Sequence, residues 1–129
     1  MYYELNKLDS IYSLYTIYKN QGKRREDYNA MKLISDMFCI SERTLSRYLR
    51  LHDLYFGFKV MWIEGRISLR TGVELSYLNC ELQETIFRKV LDNRYKVTYD
   101  SIKFLKEISA NSRLTSEVVD SILGIASNN

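Results

Sequence analysis

Three arginines, Arg43, Arg47 and Arg50, recur at spacings of four and three residues in the segment ISDMFCISERTLSRYLR, residues 34–50. Residues at these spacings share one side of an α-helix, so the three guanidinium groups would form one basic surface. A guanidinium group can bond O6 and N7 of guanine in the major groove, or pair with DNA phosphates. The spacing therefore predicts a helix that contacts the bases of double-stranded DNA. Its base-side candidates are Ser41, Glu42, Arg43, Ser46, Arg47 and Arg50.

The same segment has apolar and small residues where a helix-turn-helix needs them. That motif holds two short helices at a steep angle and leaves the outer face of the second helix free for bases. Ser35 is the small residue where the helices approach, and Cys39 stands at the turn position where many such motifs have glycine. We expect the first helix to start near Asp27, and the recognition helix to run from the N-cap Ser41 to about Leu51. The expected buried side consists of Ile34, Phe38, Ile40, Leu45 and Tyr48.

The rest of the chain is typical of helices joined by short connections, because it has no proline and only five glycines. Apolar residues at helical spacing predict a helix over Leu5–Tyr18 that stops at Gly22. The apolar run Phe56–Ile63 predicts a short buried helix. Four residues are expected to cap further helices: Ser68, Asn79, Thr98 and Thr115.

These elements predict an all-α fold, a multi-helix domain built around a helix-turn-helix with additional C-terminal helices. We expect one helical DNA-binding domain over residues 1–129, with the helix-turn-helix at about 28–51 and a helical C-terminal part at about 68–127. Residues 19–70 contain eleven Lys and Arg against six Asp and Glu, whereas the remainder contains eight against ten. This asymmetry indicates a first half that faces a polyanion and a second half with another task, such as self-association.

Several other classes of protein do not fit the composition. No run approaches the roughly 18 apolar residues of a membrane span, and the N-terminal segment lacks the pattern of a signal peptide, so a cytoplasmic protein is expected. Cys39 and Cys80 lie far apart, and His52 is the single histidine, which disfavours a zinc site. There is no glycine-rich phosphate loop and no nucleophile elbow. We therefore expect neither an enzyme nor a cofactor.

Four strings in the chain resemble those of a known family: QGKR at 21–24, RYLRL at 47–51, GRIS at 65–68 and VELSYL at 73–78. The region that resembles the family extends over about residues 15–108, and it resembles the helical DNA-binding domain of ParB-type chromosome and plasmid partition proteins, the family that includes KorB. A proline that the family often has after the recognition helix is replaced here by Phe56. The arginine-containing phosphate motif of the family's nucleotide-binding domain is not found, so CTP binding is not implied.

The resemblance implies a dimer that binds an inverted-repeat centromere site and is associated with the nucleoid or a plasmid. It adds a set of DNA-backbone candidates, namely Lys23, Arg24, Arg25, Ser68 and Arg70. A transcriptional repressor of similar fold is equally compatible with the sequence. A helical protein–protein interaction module, docking through some of the eleven tyrosines, is a further alternative.

Overall fold

The computed structural model describes residues 2–22, 29–111 and 114–128, and within these ranges the chain is all-helical, with no strand. The predicted all-α fold is therefore confirmed. A 3₁₀ turn, Leu51–Asp53, separates the third helix from the fourth. The α-helices are α1 Tyr2–Gly22, α2 Ala30–Met37, α3 Glu42–Arg50, α4 Phe56–Ile63, α5 Leu69–Ser76, α6 Cys80–Asn93, α7 Tyr99–Asn111 and α8 Ser116–Asn128.

Polar caps determine where most of these helices begin. Side chains of the five predicted caps accept backbone N–H bonds from residues three positions later, at Ser41, Ser68, Asn79, Thr98 and Thr115. Asp27, near which the sequence predicts the start of α2, lies outside the described residues. That helix begins at Ala30, because the side chain of Asn29 accepts the backbone N–H of Lys32 at 3.1 Å and so satisfies a helix N-terminus there.

The chain forms two compact units, a first unit of residues 1–52 and a second unit of residues 53–129. The predicted helix-turn-helix lies in the first unit and the predicted helical C-terminal part in the second. That residues 1–129 form a single domain stays a prediction.

The first unit packs α1, α2 and α3 around three fully buried side chains, one from each helix: Ile11, Ile34 and Leu45. A shell of partly buried apolar residues surrounds them, consisting of Leu14, Tyr15, Tyr18, Met31, Phe38, Ile40, Tyr48 and Leu49. Burial of such side chains is the main stabilising contribution to a small helical unit. The position and angle of α3 therefore depend on this cluster.

In the second unit, a fully buried glutamine joins the first residues of the unit to α6. The side-chain amide of Gln83 donates to the carbonyl oxygens of Asp53 and Leu78, at 3.1 and 2.8 Å. Its side-chain oxygen accepts the backbone N–H of Tyr55 at 2.7 Å. Since each of these polar groups has a partner, the burial of Gln83 is not costly.

The apolar run Phe56–Ile63 forms the predicted helix, α4, but only one of its faces is buried. Phe58 and Met61 lie in the core, whereas the side chain of Phe56 is 62% exposed. The expectation of a wholly buried helix is thus wrong for Phe56, which stands at the first turn and points away from the core. No helix in the described ranges has the length and apolar character needed to cross a membrane.

Candidate nucleic-acid interface

The connection between α2 and α3 is a tight turn with one left-handed residue, Cys39, whose φ is 56°. Three backbone hydrogen bonds close this turn. The N–H of Phe38 donates to the carbonyl of Ile34 at 3.1 Å, and the N–H of Ile40 donates to the carbonyl of Ser35 at 3.0 Å. The N–H of Cys39 itself donates to the carbonyl of Asp36 at 3.3 Å. The backbone of Cys39 therefore has the conformation that favours glycine in such turns.

The inner side of the motif is closely packed where the sequence predicts it. Ile34 and Leu45 are fully buried, and Ser35 is also buried, with its Oγ donating to the carbonyl of Lys32 at 3.0 Å. The other predicted buried residues, Phe38, Ile40 and Tyr48, are half-buried and pack against this cluster. A small side chain at residue 35 lets α2 and α3 approach each other, and its hydroxyl is satisfied within α2.

The start of α3 is stabilised by a double interaction between Ser41 and Thr44. The Oγ of Ser41 accepts the backbone N–H of Thr44 at 3.0 Å and donates to Thr44 Oγ1 at 3.0 Å. A serine hydroxyl has only one hydrogen to donate. Ser41, a base-side candidate, therefore serves first as the N-cap of α3 and is left with acceptor capacity alone.

The outer side of α3 carries the predicted basic surface. Glu42, Arg43 and Ser46 are exposed, and Arg47 and Arg50 are half-exposed. Within the described residues, neither Arg43 nor Arg47 forms an ion pair, so neither is neutralised by the nearby carboxylates of Asp36 or Glu42. The structure thus places two guanidinium groups one helical turn apart on the solvent side of a capped helix.

The predicted backbone-contact residues do not all belong to the described part of the first unit. Lys23, Arg24 and Arg25 lie outside the described residues. Ser68 and Arg70 belong to the second unit, where the Ser68 hydroxyl accepts the backbone N–H of Thr71 at 3.1 Å as the cap of α5. In the first unit, the structure brings all six base-side candidates together, because Ser41 caps α3 and the other five lie on that helix.

One feature that sequence reasoning missed is the environment of Arg70. Its guanidinium carbon lies 3.7 Å from the centre of the Tyr99 ring, and Lys103 Nζ lies 6.0 Å from the same centre. The four-residue spacing of Tyr99 and Lys103 is visible in the sequence as a helical pair. Arg70 and Tyr99 are 29 residues apart in the sequence, and no local pattern predicts that they are close in the fold.

Among the described residues, no group of three or more His, Cys, Asp or Glu side chains could hold a metal ion. Both cysteines are free and exposed. Comparisons with protein-family models, curated proteins and solved structures find no match to this chain.

The left-handed backbone of Cys39 leads to a first prediction about stability. Replacement by glycine should raise the free energy of unfolding by about 0.5–1 kcal/mol, because an L-residue in this conformation is disfavoured by about 1–2 kcal/mol and the greater freedom of unfolded glycine offsets part of the gain. Cys39→Val should lower it, since branched side chains tolerate positive φ poorly. Urea denaturation followed by circular dichroism measures both effects.

The matched control is Cys80→Gly. Cys80 is also exposed, but it is the first residue of helix α6, where glycine is expected to cost up to about 1 kcal/mol. If Cys39→Gly lowers stability as much as Cys80→Gly does, the proposed strain at the turn is absent.

Proposed function

We propose that this chain binds double-stranded DNA at specific sequences, with α3 as the recognition helix in the major groove. The observation that carries the proposal is the arrangement of α2 and α3. The turn at Cys39 and the buried side of the motif hold α3 against α1 and α2, while Arg43 is exposed, Arg47 is half-exposed, and neither has an ion pair among the described residues. Guanidinium groups held in this way suit guanine edges and the flanking phosphates.

The distribution of charge supports the same proposal. The first unit contains nine Lys and Arg against six Asp and Glu, whereas the second unit contains ten of each. The whole net charge of +3 therefore resides in the unit that contains α3. A localised excess of positive charge attracts DNA and raises the rate of association.

A single helix-turn-helix reads only a few base pairs, and such proteins usually gain specificity by binding two half-sites as dimers. We therefore propose a homodimer on an inverted repeat, as the resemblance to ParB-type partition proteins also implies. In that role the protein would serve segregation of a plasmid or chromosome and be associated with the nucleoid or plasmid in the cytoplasm. A transcriptional repressor would use the same DNA contacts. Plasmid-loss rates and transcript levels in a deletion strain distinguish the two roles.

The decisive experiment is selection of bound sequences from a random pool of DNA duplexes. We expect enrichment of one two-fold symmetric site, and sedimentation should show two chains on each selected duplex. A folded protein that enriches no sequence would contradict sequence-specific binding. A strict 1:1 complex on every selected site would contradict the dimer.

Binding should weaken steeply as salt is added, which is the second prediction. Each phosphate contact contributes about −0.9 to the slope of log K against log salt, so any two such contacts would weaken binding roughly tenfold between 50 and 200 mM salt. Lys23, Arg24 and Arg25 are expected to steepen the slope further. Fluorescence-anisotropy titrations at several salt concentrations measure it, with the double variant Arg43→Ala, Arg47→Ala as the control.

The alternative of a protein–protein interaction module has one observation in its favour. Phe104 and Ile125 are 52% and 66% exposed and line one apolar groove between α7 and α8. Apolar exposure of this kind is common at protein interfaces. A flat salt dependence of DNA binding would favour that alternative over the DNA-binding proposal.

A further inference from the structure

In the second unit, two exposed cations flank one aromatic ring. The guanidinium carbon of Arg70, on α5, lies 3.7 Å from the centre of the Tyr99 ring at the start of α7. Lys103, one turn further along α7, has its Nζ 6.0 Å from the same centre. Both cationic residues are exposed to solvent. Tyr99 therefore lies close to two positively charged residues, Arg70 and Lys103, that are 33 residues apart in the sequence.

A chain of polar contacts lies beside the Tyr99 ring. Its hydroxyl lies 3.5 Å from Glu74 Oε1, and Glu74 Oε2 lies 2.6 Å from Lys106 Nζ. Lys106 also lies over the ring of Tyr77, 4.9 Å from its centre. Because Glu74 is largely buried and paired with Lys106, its charge is already neutralised. The charges of Arg70 and Lys103 remain directed at solvent.

Acidic residues border this surface on one side. At 100° per residue, Asp100 and Glu107 lie about a quarter turn around α7 from Tyr99, and both are exposed. Lys103 and Lys106 lie close to Tyr99 on the helix. The positive surface over Arg70, Tyr99 and Lys103, called the strip below, is therefore bounded by carboxylates on one side of α7, which favours a phosphate strand over a broad acidic protein surface.

A guanidinium group stacked on a ring is ordered before any partner arrives. The N–H donors of a guanidinium group lie in its own plane and point away from its centre, so a guanidinium group that lies over a ring keeps donors available for the oxygens of a phosphate. Ordering in advance reduces the side-chain entropy lost on binding. The surface therefore has the properties of a preformed phosphate contact.

We propose that Tyr99 and Lys103 join Arg70, already a backbone candidate from the sequence, in a second DNA-backbone contact on the second unit, in which Tyr99 is a positioning residue for Arg70. This proposal rests on the proposed function, since it takes the phosphates to be those of duplex DNA. Contacts to the backbone orient a protein but carry no sequence information. The strip therefore contributes affinity to every duplex alike, whereas α3 contributes specificity.

The test measures binding of the full chain to a selected duplex and to a random-sequence duplex over a range of salt concentrations. Arg70→Ala and Lys103→Ala should each weaken both complexes about five- to tenfold at 0.1 M salt and reduce the salt slope by about 0.9. Lys96→Ala is the matched control. It removes a charge from an exposed lysine of the same unit, and it should change neither the affinity nor the slope.

The role of Tyr99 is tested by variants that keep every charge. Tyr99→Leu should weaken both complexes, because the ring that orders Arg70 is lost, and Tyr99→Phe should restore binding close to the original. Arg70→Lys retains the charge but loses the planar fork, so it should bind more weakly than the original even if Tyr99→Leu does not fold. Equal binding by Arg70→Lys and the original chain would overturn the positioning role.

The second contact itself would be overturned if Arg70→Ala and Lys103→Ala behave like Lys96→Ala while an alanine at Arg47 still reduces binding to the selected duplex. The proposed function would then stand without it. If no variant, including Arg47→Ala, changes DNA binding, the proposed function fails together with this inference. The two failures are therefore distinguishable.

Discussion

Replacing Arg47 with alanine should reduce affinity for the selected DNA site by roughly 5- to 150-fold, equivalent to about 1–3 kcal/mol, with a much smaller loss on random DNA. The reason is that a guanidinium group bound to both O6 and N7 of one guanine discriminates against the other bases. Arg47 lies one turn after Arg43 on the solvent side of α3, and neither has an ion-pair partner among the described residues. Parallel titrations of the two duplexes measure the specificity ratio, which is the affinity for the selected site divided by the affinity for random DNA.

Lys23→Ala serves as the comparison for Arg47→Ala. Lys23 is predicted to contact phosphate, so its loss should weaken both complexes alike and leave the specificity ratio unchanged. If Arg47→Ala also leaves the specificity ratio unchanged, Arg47 does not contact a base in a sequence-specific way. The placement of α3 in the major groove would then have to be abandoned.

A second large effect is expected at the centre of the first unit. Leu45→Ala should lower the free energy of unfolding by about 2–5 kcal/mol, the range for removal of a large buried side chain that leaves a cavity. Leu45 is fully buried between Ile11 of α1 and Ile34 of α2. Because this cluster holds α3 against the other two helices, specific DNA binding should be lost together with stability.

Leu33→Ala is the control for Leu45→Ala. Leu33 lies on α2 but is 39% exposed, and surface substitutions usually change stability by less than about 0.5 kcal/mol. Urea denaturation, followed by the fluorescence of Trp62 in the second unit and by hydrogen exchange of α1–α3, measures both variants. Equal losses of stability for the two leucines would contradict the packing described for the first unit.

The same experiment tests whether residues 1–129 act as one domain. If they do, Leu45→Ala should shift the unfolding of both units to the same urea concentration, because a cooperative domain unfolds as a whole. A shift confined to the amides of α1–α3 would show that the two units unfold independently.

The sequence by itself determined the features that depend on near neighbours along the chain. Ser41, Ser68 and Asn79 act as predicted caps, because a cap needs only its own side chain and an N–H three residues later. The two faces of α3 follow from its 3.6-residue period in the same way. Hence the all-α fold, the pair of short helices α2 and α3 and the solvent-facing side of α3 could all be predicted.

Features that join distant parts of the chain were decided by the tertiary structure alone. The exposure of Phe56 and the stacking of Arg70 on Tyr99 depend on how whole helices pack. Cys39 shows the division most clearly. Its place in the motif predicts a turn, but a cysteine has no preference for positive φ. The packing of Ile34 against Leu45 on either side of the turn imposes that backbone conformation, because the free energy of burying both side chains exceeds the local strain.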